Sequence, residues 1–234
     1  MLLAVDTSTR YAGVALRDED RVLSSRCWHS AVNHTAELMP AVSQTLASHG
    51  LAVKDLTGIA VALGPGGFSA LRVGISAAKG LAAATGKPLI GVGTLDLEAY
   101  PYVNSGLPVC ALLDAGRSEV ASAMFDCEGR RTREDLVCPV EELLETIESG
   151  TLFCGEGMIN WSGQIRERLG ASAMVVSPAP GSRLWALCEL GWQRLEEGDT
   201  SDTATLQPIY LRMPSIGGPK RRDHRPQSSA RPSP

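Results

Sequence analysis

The strongest constraint on this 234-residue chain is that it repeats its own opening. Placing LLAVDTSTRYAGVAL beside CALLDAGRSEVASAMF aligns Asp6 with Asp114, strand with strand and polar tip with polar tip. The offset of about 108 residues is too long for a solenoid unit and suits two duplicated lobes. In the first copy, alternation and turn residues predict strands over Leu2–Val5, Tyr11–Leu16 and Arg21–Trp28. A helix over His34–His49, a strand over 59–63 and a helix over 69–84 follow, then a short strand over Leu89–Val92. The second copy predicts strands over Val109–Leu113, Glu119–Phe125 and Thr132–Val137, a helix over Val140–Ser149 and a strand over Leu152–Cys154. A helix to Leu169, a strand over Met174–Ser177 and a helix over Arg183–Glu196 complete it. Each copy thus reads β-β-β-α-β-α, an order that gives an α/β lobe with a mixed sheet. The expected division is 1–106, 107–212 and a tail of 213–234. Two lobes enclose a cleft, and Asp6 and Asp114, each ending a first strand, could both face it.

The stretch 56–87 joins an apolar strand to the turn Gly64-Pro65-Gly66-Gly67 and then to an Ala-rich helix. Ser69 is placed to cap that helix, and Gly86 followed by Pro88 to stop it. Leu71, Ile75, Ala78 and Ala82 share one side, and Gly74, Ala77 and Leu81 a neighbouring one. Its only cations are Arg72 and Lys79, and it has no carboxylate. A helix so apolar all round is buried on more than one side. It is either the central helix of a large core or a layer between its own sheet and a second protein.

Charge narrows the function classes. Lys220, Arg221, Arg222, Arg225 and Arg231 against Asp223 give residues 213–234 a net of +4, so the chain's −4 leaves −8 on the first 212 residues. An acidic body argues against this chain alone gripping a nucleic-acid backbone. The tail, rich in Pro, Ser, Gly and Arg, is expected to be disordered, either as a solvated end or touching phosphates. Six scattered cysteines without a C-x-x-C pair suggest reduced thiols and a cytoplasmic protein. No stretch reaches the ~20 apolar residues of a membrane span, and the N-terminus does not read as a signal peptide.

Duplicated lobes with an Asp ending each first strand resemble the actin-like ATPase fold. The opening LLAVDTSTRYAGVAL, the segment HTAELMPAV, the core GPGGFSALRVGISAAKGLA, the hairpin DAGRSEVASAMF and the late PIYLR narrow the likeness. Together, over about residues 1–212, they are similar to the bacterial tRNA threonylcarbamoyladenosine biosynthesis protein family TsaB. Gly67 and Ser69-Ala70 depart from that family's usual Ser and Thr-Gly, keeping small residues. The resemblance implies a non-catalytic paralogue of the catalytic subunit TsaD, paired with it and joined by the small ATPase TsaE. That assembly moves a threonylcarbamoyl group from an adenylate onto the adenosine 3′ of the anticodon, in tRNAs reading codons that start with A. This chain would meet tRNA only through the complex. Helices 34–49 and 69–84 would lie side by side and present Leu38, Val42, Leu71, Gly74, Ala78 and Leu81 to the partner. A second copy could take the same place, giving a homodimer. Otherwise that face is covered by the chain's own second lobe.

The residues give little sign of chemistry of their own. The catalytic paralogue holds a metal with two histidines one helical turn apart, whereas His29 and His34 are five apart across an expected loop. No metal or cofactor is expected. Asp6 and Asp114 are weak candidates for phosphate and Mg²⁺, but DTSTR lacks the glycine that brings backbone N–H groups to an anion. Both read better as acceptors of turn amides. The Gly64–Gly67 turn lacks the Lys-Ser/Thr of a P-loop. The alternative reading is an independent actin-like ATP-dependent kinase, which tight ATP–Mg²⁺ binding by the isolated chain would reveal.

Overall fold

The computed structural model describes residues 1–30, 34–179 and 181–212; the expectations for the tail 213–234 lie outside them. The first copy comprises β1 (Leu2–Asp6), β2 (Tyr11–Arg17), β3 (Val22–His29), α1 (His34–Ala47), β4 (Gly58–Ala62), α2 (Phe68–Thr85), β5 (Leu89–Val92) and α3 (Thr94–Ala99). The second repeats this with β6 (Val109–Gly116), β7 (Glu119–Phe125), β8 (Leu136–Pro139), α4 (Val140–Glu145), β9 (Thr151–Cys154), α5 (Met158–Leu169), β10 (Ala173–Val175) and α6 (Ser182–Glu197).

The sheets run β3-β2-β1-β4-β5 and β8-β7-β6-β9-β10. In each, the first strand is central, antiparallel to the second and parallel to the fourth. This is the two-lobed actin-like ATPase fold with open mixed sheets. Every residue of β1, β4, β5 and β9 is buried, as continuous apolar strands covered on both faces should be.

The packing is layered. α1 and α2 cover the outer face of the first sheet through Leu38, Val42, Leu71, Ile75 and Ala78. Its inner face takes Leu184, Leu187 and Cys188 of α6 together with Leu97 of α3. From the other side of α3, Leu95 and Ala99 meet the second sheet, whose far face holds α4 and α5. Helices α3 and α6 therefore form the middle layer, and α6, from the second copy, packs on the first sheet. The packing crosses the expected boundary at 106/107.

Beyond α6 the chain returns to the first lobe. Ser201 N donates to the Leu89 carbonyl at 2.7 Å and Ile209 N to the Leu63 carbonyl at 2.8 Å. Both cations of α2 hold this strap. Lys79 Nζ reaches the Ala204 and Leu206 carbonyls, and Arg72 Nε donates to the Tyr210 hydroxyl while lying over the Phe68 ring.

Three local expectations need correction. α2 is capped by Gly67 rather than Ser69, with no side-chain cap bond, and Gly86 ends it in the left-handed conformation at φ 67° as expected. β8 starts at Leu136, not Thr132: Arg131 bridges Phe125 and Thr132 N donates to the Met124 carbonyl, and the chain then bends with Arg131 paired to Asp135. α4 stops at Glu145, where β-branched Thr146 turns its hydroxyl onto the Leu143 carbonyl.

The exposure expected of the partner-facing residues is also overturned. Leu38 and Val42 are 1% exposed and Leu71 and Ala78 0%. Gly74 is buried where a Cβ would strike the Thr7 hydroxyl. The apolar stripe of each helix faces its own sheet, as burial of apolar area demands. Leu81 alone of the six is half-buried.

Candidate functional site

A cleft of about 930 Å³ opens between the lobes. Its first-lobe wall is the β1–β2 turn (Ser8, Thr9, Arg10) and the start of α2 (Gly66–Ala70); Asp114, Gly116, Glu156 and Asn160 face them from the second lobe. The glycine turn before α2 sits against the β1–β2 turn: Gly67 N donates to the Ser8 carbonyl at 2.8 Å, and a Cβ on Gly66 would fall on that same oxygen. Thr7 completes the contact by donating its hydroxyl to the Ala70 carbonyl at 2.6 Å. The small residues of this motif let α2 dock closely on the turn.

Asp6 and Asp114 do accept turn amides, from Ser8 N at 2.8 Å and from Gly116 N at 2.7 Å. Beyond that they part. Asp114 is exposed and its second oxygen meets the Asn160 amide. Asp6 is 1% exposed, and its second oxygen takes the Arg183 Nε–H at 2.6 Å.

Arg183 is the residue that reading the sequence missed. It lies in the first turn of α6, 2% exposed, and all five of its N–H donors are used. Nη1 donates to Glu98 of α3 at 2.8 Å and to Glu156, on the turn after β9, at 3.1 Å. Nη2 donates to Thr9 Oγ1 at 2.8 Å and to the Tyr11 carbonyl at 3.0 Å. Burial works against its charge, yet Asp6 and Glu98 beside it outweigh that and hold its pKa above the usual arginine value. Burial pushes the Glu98 carboxyl upward, with Arg183 opposing. The backbone on either side of Glu156 packs closely on β6: Gly155 has φ 97°, and a Cβ at Gly155 or Gly157 would press on the Leu112 backbone.

The histidines are apart in role. His34 Nε2 lies 3.2 Å from the Thr9 carbonyl at the start of α1, and His29 packs edge-on to the Tyr11 ring. Among the described residues no group of three His, Cys, Asp or Glu could hold a metal ion, and no helix is long and apolar enough to cross a membrane.

What the geometry offers is a cleft whose first-lobe aspartate is already paired from inside with a buried guanidinium. Mg²⁺ at Asp6 would have to displace the Nε–H of that guanidinium.

Residues 28–154 match the family model "TsaD: tRNA N6-adenosine threonylcarbamoyltransferase". The tRNA threonylcarbamoyladenosine biosynthesis protein TsaB of Bacillus subtilis is 30% identical over 222 residues, covering 91% of this chain and 94% of that protein. The solved structure of YeaZ from Pseudomonas aeruginosa superposes with a TM-score of 0.71 at 30% identity, covering 90% of this chain and 99% of that one. The tRNA N6-adenosine threonylcarbamoyltransferase of Moorella thermoacetica is 43% identical over 111 residues, which cover 44% of this chain and 32% of that enzyme. The likeness to the transferase is thus confined to part of the chain, whereas the likeness to TsaB runs through nearly all of it. The chain belongs to the TsaB family of tRNA threonylcarbamoyladenosine biosynthesis proteins, paralogues of the TsaD transferases.

Proposed function

We propose that this chain is a non-catalytic scaffold subunit in tRNA threonylcarbamoyladenosine biosynthesis, acting in the cytoplasm beside a paralogous TsaD-type transferase. Family membership supports the reaction. The observation that carries the non-catalytic part is the Asp6–Arg183 ion pair at 2.6 Å, with both side chains 3% exposed or less. An independent actin-like kinase would need that aspartate for its metal. The small ATPase TsaE and the tRNA belong to the same proposal, with tRNA reached through the complex.

The surface that suits a paralogous partner is the solvent side of α1 and α2, not the buried stripe. With Arg72 and Lys79 turned onto the strap, α2 presents Ser69, Ser76, Gly80, Ala83 and Ala84 outward, beside Met39 of α1, which is 40% exposed. Gly80 has no reason within this chain. It stands mid-helix, where glycine costs about 1 kcal/mol against alanine, and a Cβ there would meet nothing within 4 Å. Close approach of a second helix supplies the reason. A homodimer through the same face would compete with the heterodimer.

The experiment is reconstitution of the transferase with TsaE, the adenylate-forming enzyme, threonine, bicarbonate, ATP and tRNA. Modification should depend on this chain and be lost with Gly80→Glu, whose isolated fold should be unchanged. Equal modification without the chain would overturn the proposal.

A further inference from the structure

The Arg183 hub spans both lobes. Its donors reach β1 through Asp6, the first hairpin turn through Thr9, β2 through the Tyr11 carbonyl, α3 through Glu98 and the turn after β9 through Glu156. Thr9 Oγ1 also donates to Glu156 at 2.6 Å, and Glu156 N to Glu98 at 3.3 Å. Glu156 is therefore the arm that carries the hub into the second lobe.

The charge does not balance, since one guanidinium faces three carboxylates. With Glu98 neutral the excess is a single negative charge; with Glu98 ionised it is two, in a site where uncompensated charge is expensive. Relief must come from the member with a way out. The side chains of Asp6 and Glu98 are 2% and 5% exposed, whereas that of Glu156 is 20% exposed. Glu156 also borders both the large cleft and a cavity of about 110 Å³ that it shares with Glu98 and Arg183.

We propose that Glu98 makes this hub a proton-linked latch between the lobes. Neutral, it leaves Arg183 holding Asp6 and Glu156 together; ionised, it drives the Glu156 arm outward into the cleft and frees the second-lobe turn from Thr9. Four groups face Glu98: Arg183 from α6, Glu156 from its turn, Cys154 at the end of β9 and Tyr102 after α3, with Asp6 on the far side of Arg183. Burial raises the pKa of both Cys154 and Tyr102, so they stay neutral and Arg183 is the one cation among these four. Because burial also raises Glu98, release falls at higher pH than the titration of a surface glutamate.

The test needs neither partner nor tRNA. Cys27 on β3 and Cys127 between β7 and β8 are exposed, one on each lobe, while Cys110, Cys138, Cys154 and Cys188 are buried. Burial shields those four thiols from the label. Spin labels on Cys27 and Cys127 of the full chain, measured by electron–electron resonance from about pH 5 to about pH 9, should give one narrow distance at the acid end. At the alkaline end the distribution should be longer and broader. Glu98→Gln should stay narrow throughout, and Glu156→Ala should be broad throughout. Infrared spectroscopy of the unsubstituted chain should show a protonated-carboxyl band that disappears over the same pH interval as the distance change. A distribution independent of pH, a Glu98→Gln variant that follows the unsubstituted chain, or no such band would each overturn the latch.

Discussion

The β1–β2 and β6–β7 hairpins share their place in the sheet and differ in everything around it. Each central strand carries an aspartate that accepts the amide two residues on, Asp6 as the last residue of β1 and Asp114 two residues before the end of β6. In the first copy the turn Thr7–Arg10 is roofed by Gly66 and Gly67 and floored by Arg183, so Asp6 is enclosed. In the second, Arg117 and Ser118 make a tight two-residue turn at φ 58° and 62°, and Asp114 stays at the surface with Asn160. A duplicated topology delivers the carboxylate, but the surroundings decide whether it can serve a ligand. Here one copy is closed from within by a residue on the last helix of the other.

Breaking the closed copy should have the largest effect. Arg183→Met leaves Asp6 and Glu98 buried without their cation, and should lower unfolding free energy by about 3–5 kcal/mol in urea titrations. A loss well under 1 kcal/mol would mean that the hub is solvated in solution. Gly66→Ala places a methyl on the Ser8 carbonyl and should cost about 2 kcal/mol, lifting α2 from the turn; an unchanged midpoint would separate the roof from the floor.

Glu98→Gln acts with the opposite sign. The folded-state pKa of Glu98 is raised, so its contribution to stability is fully present below the unfolded value and is lost as pH rises through the folded one. The variant should match the unsubstituted chain in acid and exceed it in alkali, by melting temperature. The reverse order would mean that Arg183 favours the ionised form. Smallest is Asp114→Asn in the open copy, which should stay within about 0.5 kcal/mol.

Much of this architecture was legible because apolar periodicity and turn residues act locally. The repeat, the strands of the first copy and the glycine that ends α2 follow from them. The partner surface was not legible, because an apolar stripe marks burial without saying against what. Gly74 and Ala78 are small where α2 meets its own lobe, while the outward Gly80 lies off the stripe. In the sequence Arg183 marks only the start of a helix. A signal was present: it shares the i, i+4 line of Leu187 and Gly191, all three buried. A cation on the apolar stripe in a first turn, where the helix dipole opposes it, needs buried carboxylates. Which ones supply them depends on Asp6 and Glu98, 177 and 85 residues away, a separation no local pattern spans.

The central claim is that this chain contributes surface and not catalysis, and the open copy tests it most directly. Asp114 is the cleft aspartate still free of a buried cation, so metal-dependent chemistry of the actin-like kind would fall to it. The measurement is the rate of tRNA threonylcarbamoylation by the reconstituted complex containing Asp114→Asn, with the complex assembled to the same extent. An unchanged rate is the predicted result; a loss of tenfold or more in an intact complex would contradict it.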